Sequence, residues 1–309
     1  MPNISAISAR KISIVTPSLN RVEMLKAAVQ SVVAQEYPNY EHIIVDGGST
    51  DGTLEFIKTQ PQIKFICEPD QGMYDALNKG LVLASGDVIG FLNTDDLYAE
   101  GIFNAVMEAF GDPKILAVAG KADVFFDDAE DKPAIKLHYS PDEQSLLEST
   151  VRGNYFNAWF FRTRVFDLVG GFNPLYKIAG DRDFMLRIAL KHITYKTIDK
   201  RAYLYRSHFD SLTFDHSIDK QKLGANELLQ MSKYYLEHQN LPYAARRWIA
   251  RLHTQESLSV ARWQERSGNS AEYISTLVEC IKYDPCALPR VLRHLTRSVI
   301  NSIRILTDD

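Results

Sequence analysis

Cysteine is scarce in this chain: three in 309 residues (Cys67, Cys280, Cys286), with no pair repeating a metal-ligand spacing. That excludes a disulfide-stapled scaffold and a cysteine-rich zinc module, and fits a reducing compartment. Long hydrophobic runs are missing as well; no uncharged apolar stretch approaches the roughly 20 residues that cross a bilayer. At the N-terminus Arg10 and Lys11 arrive before an apolar core has formed, so the segment does not read as a signal peptide. The expectation is a cytoplasmic protein, with peripheral contact on the inner face of the membrane left open. Nor is there an excess of one charge: 35 Lys and Arg face 39 Asp and Glu, a formal net charge of −4, which gives no electrostatic reason to expect nucleic acid as a partner. Neither GxGxxG nor GxxxxGK[ST] occurs, which sets aside dinucleotide dehydrogenases and P-loop NTPases.

What is present is ordinary globular composition, 45% hydrophobic and 24% charged. At roughly 150 residues per domain the length suggests two domains, or one large α/β domain with an extension. From residue 11 short β-branched runs alternate with helical periodicity, the signature of a largely parallel sheet with crossover helices. Strands are expected at Lys11–Thr16, stopped by Pro17, and at Glu41–Asp46, Ile63–Cys67 and Asp87–Leu92. Between them Leu25, Ala28, Val29, Val32 and Val33 define one helix face, and Met73, Ala76, Leu77, Leu81 and Ala84 another. Gly86 is expected to close the latter with a left-handed backbone. Further on come a helix near 99–110, a strand at Ile115–Ala119, a hairpin across Val124–Tyr139 and a helix from about Asp181 to Leu190. Beyond Asp219 only helical periodicity remains.

In open α/β sheets ligands bind beyond the carboxyl ends of the strands. Here those ends read Thr16-Pro17-Ser18-Leu19-Asn20-Arg21, Asp46-Gly47-Gly48-Ser49, Glu68-Pro69-Asp70-Gln71-Gly72 and Asn93-Thr94-Asp95-Asp96, all polar and turn-forming. Two carboxylates leaving a buried apolar strand are costly unless a cation sits between them, so Asp95 and Asp96 suit Mg²⁺ or Mn²⁺ bridging to a diphosphate, or else a helix cap. Asp46 fits either an acceptor for a base or ribose or an ordinary Asp-Gly turn. Gly47 and Gly48 would let backbone approach a ligand closely.

These four segments together, TPSLNR…VDGGSTDGT…EPDQGMYDALNKGLVLASGDVIGFLNTDD, resemble the family 2 glycosyltransferases, closely over residues 11–100. A looser similarity to bacterial exopolysaccharide and colanic-acid-type transferases continues through NAWFFRTRVFDLVGGFNPLYKIAGDRDFMLRIAL. The resemblance implies a GT-A nucleotide-diphospho-sugar transferase fold in residues 1–214, with a nucleotide-sugar half at 11–100 and an acceptor half at 101–214, and leaves 215–309 as a helical extension. It implies inverting transfer of a hexose or acetylhexosamine from a nucleotide-diphosphate donor, UDP above others, with a divalent metal, onto a saccharide or lipid-linked saccharide in surface polysaccharide assembly.

Carried over, Thr16, Pro17, Asn20, Arg21, Asp46, Gly47 and Gly48 surround the nucleotide, and Asp70 and Lys79 lie near ribose or diphosphate. Asn93, Asp95 and Asp96 occupy the DXD-like segment, with Asn93 where Asp is commonest; Asp96 is the favoured metal ligand, and Asp95 serves the ribose or supports the metal. Asp181 is the expected catalytic base, although the Glu that precedes it in the family is absent here, and Asp183 is its orienting partner or a cap. His208 would complete the metal or diphosphate site, with Arg206 beside it. Tyr155, Asn157 and Trp159 would form an acceptor platform, while Phe160 and Phe161 belong to the core. At the end of the chain Leu288, Val291, Leu292, Leu295, Val299, Ile303 and Leu306 form an apolar stripe among Arg290, Arg293, Arg297 and Arg304. Such a stripe usually packs on other helices, and otherwise lies on an anionic membrane surface. Two other classes remain: a degenerate nucleotide-sugar-binding scaffold and a sugar-1-phosphate nucleotidyltransferase.

Overall fold

The computed structural model describes residues 10–126, 134–141, 146–152, 155–207 and 217–296. The chain forms two compact units, Met1–Asp215 and His216–Asp309.

The first unit is built on a mixed sheet. β1 (Ile12–Ser18) pairs in parallel with β2 (Tyr40–Asp46) on one side and β4 (Val88–Phe91) on the other, and β3 (Ile63–Cys67) extends the sheet beyond β2. β1, β2 and β4 are buried nearly throughout because helices cover both faces of a parallel sheet, whereas β3, at the edge, is largely exposed. The helices are α1 (Val22–Val33), α2 (Thr53–Lys58) and α3 (Met73–Leu83). Past β4 lies β8 (Trp159–Arg162), antiparallel to it, then β6 (Ala117–Phe126), β9 (Tyr195–Ser207) and the two-residue β5 (Leu97–Tyr98). β7 (Ala134–Tyr139) pairs antiparallel with β6, as a hairpin requires; its turn, residues 127–133, lies outside the described residues. α4 (Ile102–Ala109), α5 (Leu146–Arg152), α6 (Arg164–Val169) and α7 (Gly180–Leu190) complete the unit.

Several local expectations are corrected. β1 runs through Pro17 to Ser18 instead of stopping before it. Val15 O accepts from Leu92 N on the β4 side and Ser18 O from Gly47 N on the β2 side. Alternation therefore turns the nitrogen of Pro17 toward β4, whose pairing with β1 ends at Val15 and Phe91. A missing N–H costs no ladder bond there. Val33 leaves the α1 face at 39% exposure, while Leu25, Ala28, Val29 and Val32 are buried. The expected helix at 99–110 starts at Ile102, because Ala99 N still donates to Ala202 O where Leu97 and Tyr98 pair with β9. Buried Gln35 then caps α4, its Oε1 accepting from Ile102 N at 2.9 Å.

Gly86 does not adopt a left-handed backbone. It is glycine because a Cβ there would lie 2.7 Å from Ser13 N and 2.8 Å from Lys11 O, the backbone of β1. Gly86→Ala must push α3 and β1 apart, and overpacking of this kind costs about 1–3 kcal/mol. A melting temperature lowered by several degrees, read by calorimetry or circular dichroism, is the expected result.

The second unit is helical: α8 (Ile218–His238), α9 (Tyr243–Arg266) and α10 (Ser270–Tyr283), followed by helical residues 288–296. Of the terminal stripe, Val291 is buried, Leu295 is partly buried, and Leu288 and Leu292 are 44% and 53% exposed. Val299, Ile303 and Leu306 lie outside the described residues. No helix among the described residues is long and apolar enough to cross a membrane.

Candidate active site

The strand order β3-β2-β1-β4 reverses direction between β1 and β4, which opens a crevice beyond their carboxyl ends. A cavity of about 220 Å³ occupies it, lined by Pro17 and Ser18 at the end of β1 and Leu19 and Arg21 after it, by Asp70, Gly72, Met73 and Ala76 at the start of α3, by Asn93 to Asp96 after β4, and by Tyr205 and Arg206 of β9.

The loops around it are fixed by short polar contacts. Asn20 takes a left-handed backbone (φ 51°), its N–H donates to Ser49 Oγ, and its Oδ1 accepts from Thr50 N at 2.8 Å. Asp51 Oδ2 accepts from Val22 N at 2.9 Å, so three bonds tie the turns after β1 and β2 together. Gly47 gives Asp70 its place: a Cβ on Gly47 would stand 2.7 Å from Asp70 Oδ2.

Asp95 and Asp96 have different environments. Asp95 is part-exposed and pairs with Arg21 Nη1 at 3.3 Å. Asp96 is buried; its Oδ1 accepts from Arg206 N at 2.9 Å, and its Oδ2 from Tyr203 OH at 3.0 Å and Asn93 Nδ2 at 3.2 Å. Burial and then the charge of Asp95 push its carboxyl well above the usual carboxylate range, and these three bonds oppose that only in part. Burial, and next the charge of Asp96, likewise hold the phenols of Tyr203 and Tyr205 above their usual range. Arg206 lies over Phe125 with its guanidinium 4.8 Å from the ring centre, and its Nε donates to Asp95 O.

A cation at this spot would offset the burial of Asp96 and the repulsion between it and Asp95. No three His, Cys, Asp or Glu side chains form a metal cage among the described residues. Mg²⁺ and Mn²⁺ do not require one, since one or two carboxylates plus phosphate oxygens and waters suffice. The donor set of Asp95 and Asp96 fits that chemistry.

Asp181 stands in the first turn of α7, its Oδ1 accepting from Arg182 N at 2.7 Å. Burial raises its carboxyl above the ordinary range, with Arg182 opposing. Its charge is felt by Tyr205, a wall of the cavity.

The structure thus brings together Pro17, Arg21, Asp70, Asn93, Asp95 and Asp96 on one cavity. Other expected residues are placed elsewhere. Thr16 is buried with its hydroxyl 2.8 Å from His42 Nε2, inside the sheet. Asp46 is fully buried; Gly48 N and Ser49 N donate to its Oδ1 at 3.1 and 2.8 Å, and Ser49 Oγ to its Oδ2, so it organises its own turn. Gly48 serves that turn with φ 97°. Lys79 is engaged by Glu68 at 2.9 Å and Pro69 O at 2.8 Å, bracing the loop that carries Asp70. Trp159 offers no platform: at 2% exposure it stacks on Phe161 in the core, because both faces of β8 are covered. Asn157 is buried, with its backbone N–H on Tyr205 OH. Tyr155 packs against Tyr205, ring centres 5.2 Å apart, behind the cavity wall. Asp183 is committed to Arg187, one turn along α7, at 2.8 Å. His208 lies outside the described residues.

Residues that sequence reasoning passed over include Tyr203, whose hydroxyl donates to Asp96 and accepts from Asn93 N. The period-two spacing of Tyr203 and Tyr205 was the available signal, since it puts both rings on one face of β9.

A doubly wound parallel half-sheet with an acidic crevice at its switch point defines an α/β fold whose ligand site lies at the carboxyl ends of its strands. Comparison with known proteins is more specific. Residues 13–170 match the model of glycosyl transferase family 2. A PGL/p-HBAD biosynthesis glycosyltransferase of Mycobacterium bovis is 31% identical over 187 residues, 59% of this chain and 70% of the relative. Among solved structures, S. aureus TarS 1–349 in complex with UDP-GlcNAc superposes with TM-score 0.67 at 16% identity, covering 88% of this chain and 81% of that one; of a longer TarS chain this protein spans 54%. A mannosyltransferase from Pyrobaculum calidifontis, in complex with GDP-Man and Mn²⁺, superposes with TM-score 0.56 at 17% identity, covering 95% and 87%. The protein is a glycosyltransferase, and it belongs to glycosyltransferase family 2.

Proposed function

We propose that this enzyme transfers a hexosyl or acetylhexosaminyl group, with inversion, from a UDP-sugar to a saccharide or lipid-linked saccharide acceptor in surface polysaccharide assembly. The cavity at the β1/β4 switch point, with Asp95 and Asp96 on its wall, is the observation that carries this reading. The UDP-GlcNAc and UDP complexes of TarS support a UDP donor, and the Mn²⁺ complex of the mannosyltransferase supports a divalent metal. Residues 1–214 would be the catalytic domain and 215–309 an extension, whose exposed Leu288 and Leu292 leave room for peripheral membrane contact.

In this reading Asp96 and Asp95 hold Mn²⁺ or Mg²⁺, which when bound supplies Lewis-acid neutralisation of the leaving diphosphate. Arg206, immobilised on Phe125, and Arg21 add positive charge at the same wall. Pro17, Leu19, Met73 and Ala76 offer apolar surface to the nucleoside. Asp181 removes the proton of the acceptor hydroxyl as its oxygen bonds to the anomeric carbon, while the bond to the diphosphate oxygen breaks and that oxygen keeps the electron pair. Raised by burial, the carboxyl of Asp181 is the stronger base for this step.

Titration calorimetry with UDP, GDP, CDP and dTDP, each with Mn²⁺ or with EDTA, tests the donor assignment. UDP binding that needs Mn²⁺ is expected. Preference for another nucleotide would change the donor class, and no binding to any folded sample would favour a scaffold.

A further inference from the structure

The backbone ahead of α7 is pinned to α3 by side chains that stand apart from the Asp95–Asp96 wall. Asn78 engages Phe172 as a strand would: its Oδ1 accepts from Phe172 N and its Nδ2 donates to Phe172 O, both at 2.8 Å. Gly171 allows this approach, since a Cβ there would stand 2.4 Å from Asn78 Oδ1. Four residues earlier on the same helix, the ring of Tyr74 stacks on Phe172 with centres 5.7 Å apart. It also lies against Gly180, where a Cβ would stand 2.7 Å from the ring. The single proton of the Tyr74 hydroxyl is shared between Ile178 O at 2.9 Å and Asp181 Oδ1 at 3.4 Å, the hydroxyl donating to both as a three-centre bond. Lys177 Nζ adds a bond back to Gln71 O.

We infer that Tyr74, with Asn78 behind it, is a positioning residue for Asp181. This rests on the reading of Asp181 as the base. Arg182 N and Tyr74 OH both converge on Oδ1, which leaves Oδ2 as the oxygen that takes the acceptor's proton. The same helix contributes Met73 and Ala76 to the donor cavity, so α3 is one rigid body carrying the donor wall on one face and the anchor of the base on another. A misplacement of the base by about 1 Å can cost on the order of a hundredfold in rate. Donor affinity does not depend on that placement.

The test compares wild type, Tyr74→Phe, Asp181→Asn and the double variant, using whichever nucleotide sugar is hydrolysed fastest in a panel of UDP-, GDP-, CDP- and dTDP-sugars with Mn²⁺, water standing in for the acceptor. Phe keeps the ring stacked on Phe172 and against Gly180, so the variant is expected to fold. Its kcat should fall about tenfold to a hundredfold with donor KM within about twofold of wild type. The groups facing Asp181 are Tyr74 from α3, Tyr205 from β9 and Arg182 on its own helix. Losing the Tyr74 bond leaves burial less opposed, so the acid limb of the rate should move to higher pH. In the Asp181→Asn background Tyr74→Phe should change little. An inactive Asp181→Asn beside a Tyr74→Phe with wild-type kcat and pH profile would overturn the positioning role alone. Full activity in Asp181→Asn, or no hydrolysis by wild type, would remove the underlying reading instead.

Discussion

Asp181→Asn is expected to slow sugar transfer by about 10²–10⁴-fold, the usual range for loss of a general base, while affinity for the nucleotide stays within about twofold. Asn keeps the size of the side chain and can still accept from Arg182 N, so the first turn of α7 persists. What it cannot do is take a proton. The wild-type rate should rise with pH through the carboxyl of Asp181, and because burial raises that group, the acid limb lies above the ordinary carboxylate range. The residual rate of the variant should lack this limb. Initial rates across pH, with calorimetric nucleotide binding in parallel, check both halves. A variant that turns over like wild type sinks the assignment of the base.

Asp96→Asn should have the second largest effect, and with opposite signs on two observables. Removing the buried negative charge takes away a principal reason for a cation to bind, and losing one partner of a buried charge pair costs on the order of 3 kcal/mol, or about a hundredfold in Mn²⁺-dependent donor affinity. Stability should move the other way. Folded Asp96 holds its proton more tightly than the unfolded chain does, so ionising it in the native state destabilises the protein increasingly as pH rises above the ordinary carboxylate range. Asn avoids that cost; its one amide oxygen can still accept from Arg206 N, and its Nδ2 can donate to the Tyr203 oxygen in place of the bond it received. A melting temperature at or above wild type at neutral pH, with the gap closing toward acid, is expected alongside the lost binding. Unchanged Mn²⁺-dependent binding would exclude Asp96 as a metal ligand.

The stretches that were legible in the sequence share a physical character. β1, β2 and β4 are buried on both faces, so their apolar runs are dense, and α1 and α3 carry three- and four-residue spacings set by the sheet they cover. The polar turn after each strand could be read because a parallel sheet presents all such turns at one edge. Periodicity alone therefore marked an α/β fold with a crevice at the carboxyl ends, the resemblance to family 2 added the transferase class, and of the residues expected around the donor Pro17, Arg21, Asp70, Asn93, Asp95 and Asp96 line one cavity.

Only the tertiary structure decided how each polar side chain is spent. Asp46 and Asp95 follow strands in similar contexts, yet one is consumed by its own turn and the other opens on the cavity, a difference set by Ser49 and Arg21. Gly86 and Gly171 look like turn glycines and are instead points of close approach to β1 and Asn78, which are distant in sequence. The environment of Asp96 depends on Tyr203 and Arg206, more than a hundred residues away in the chain. Periodicity records which face a residue takes, whereas hydrogen bonding and burial depend on which distant residue arrives at that face, and that is fixed by packing alone.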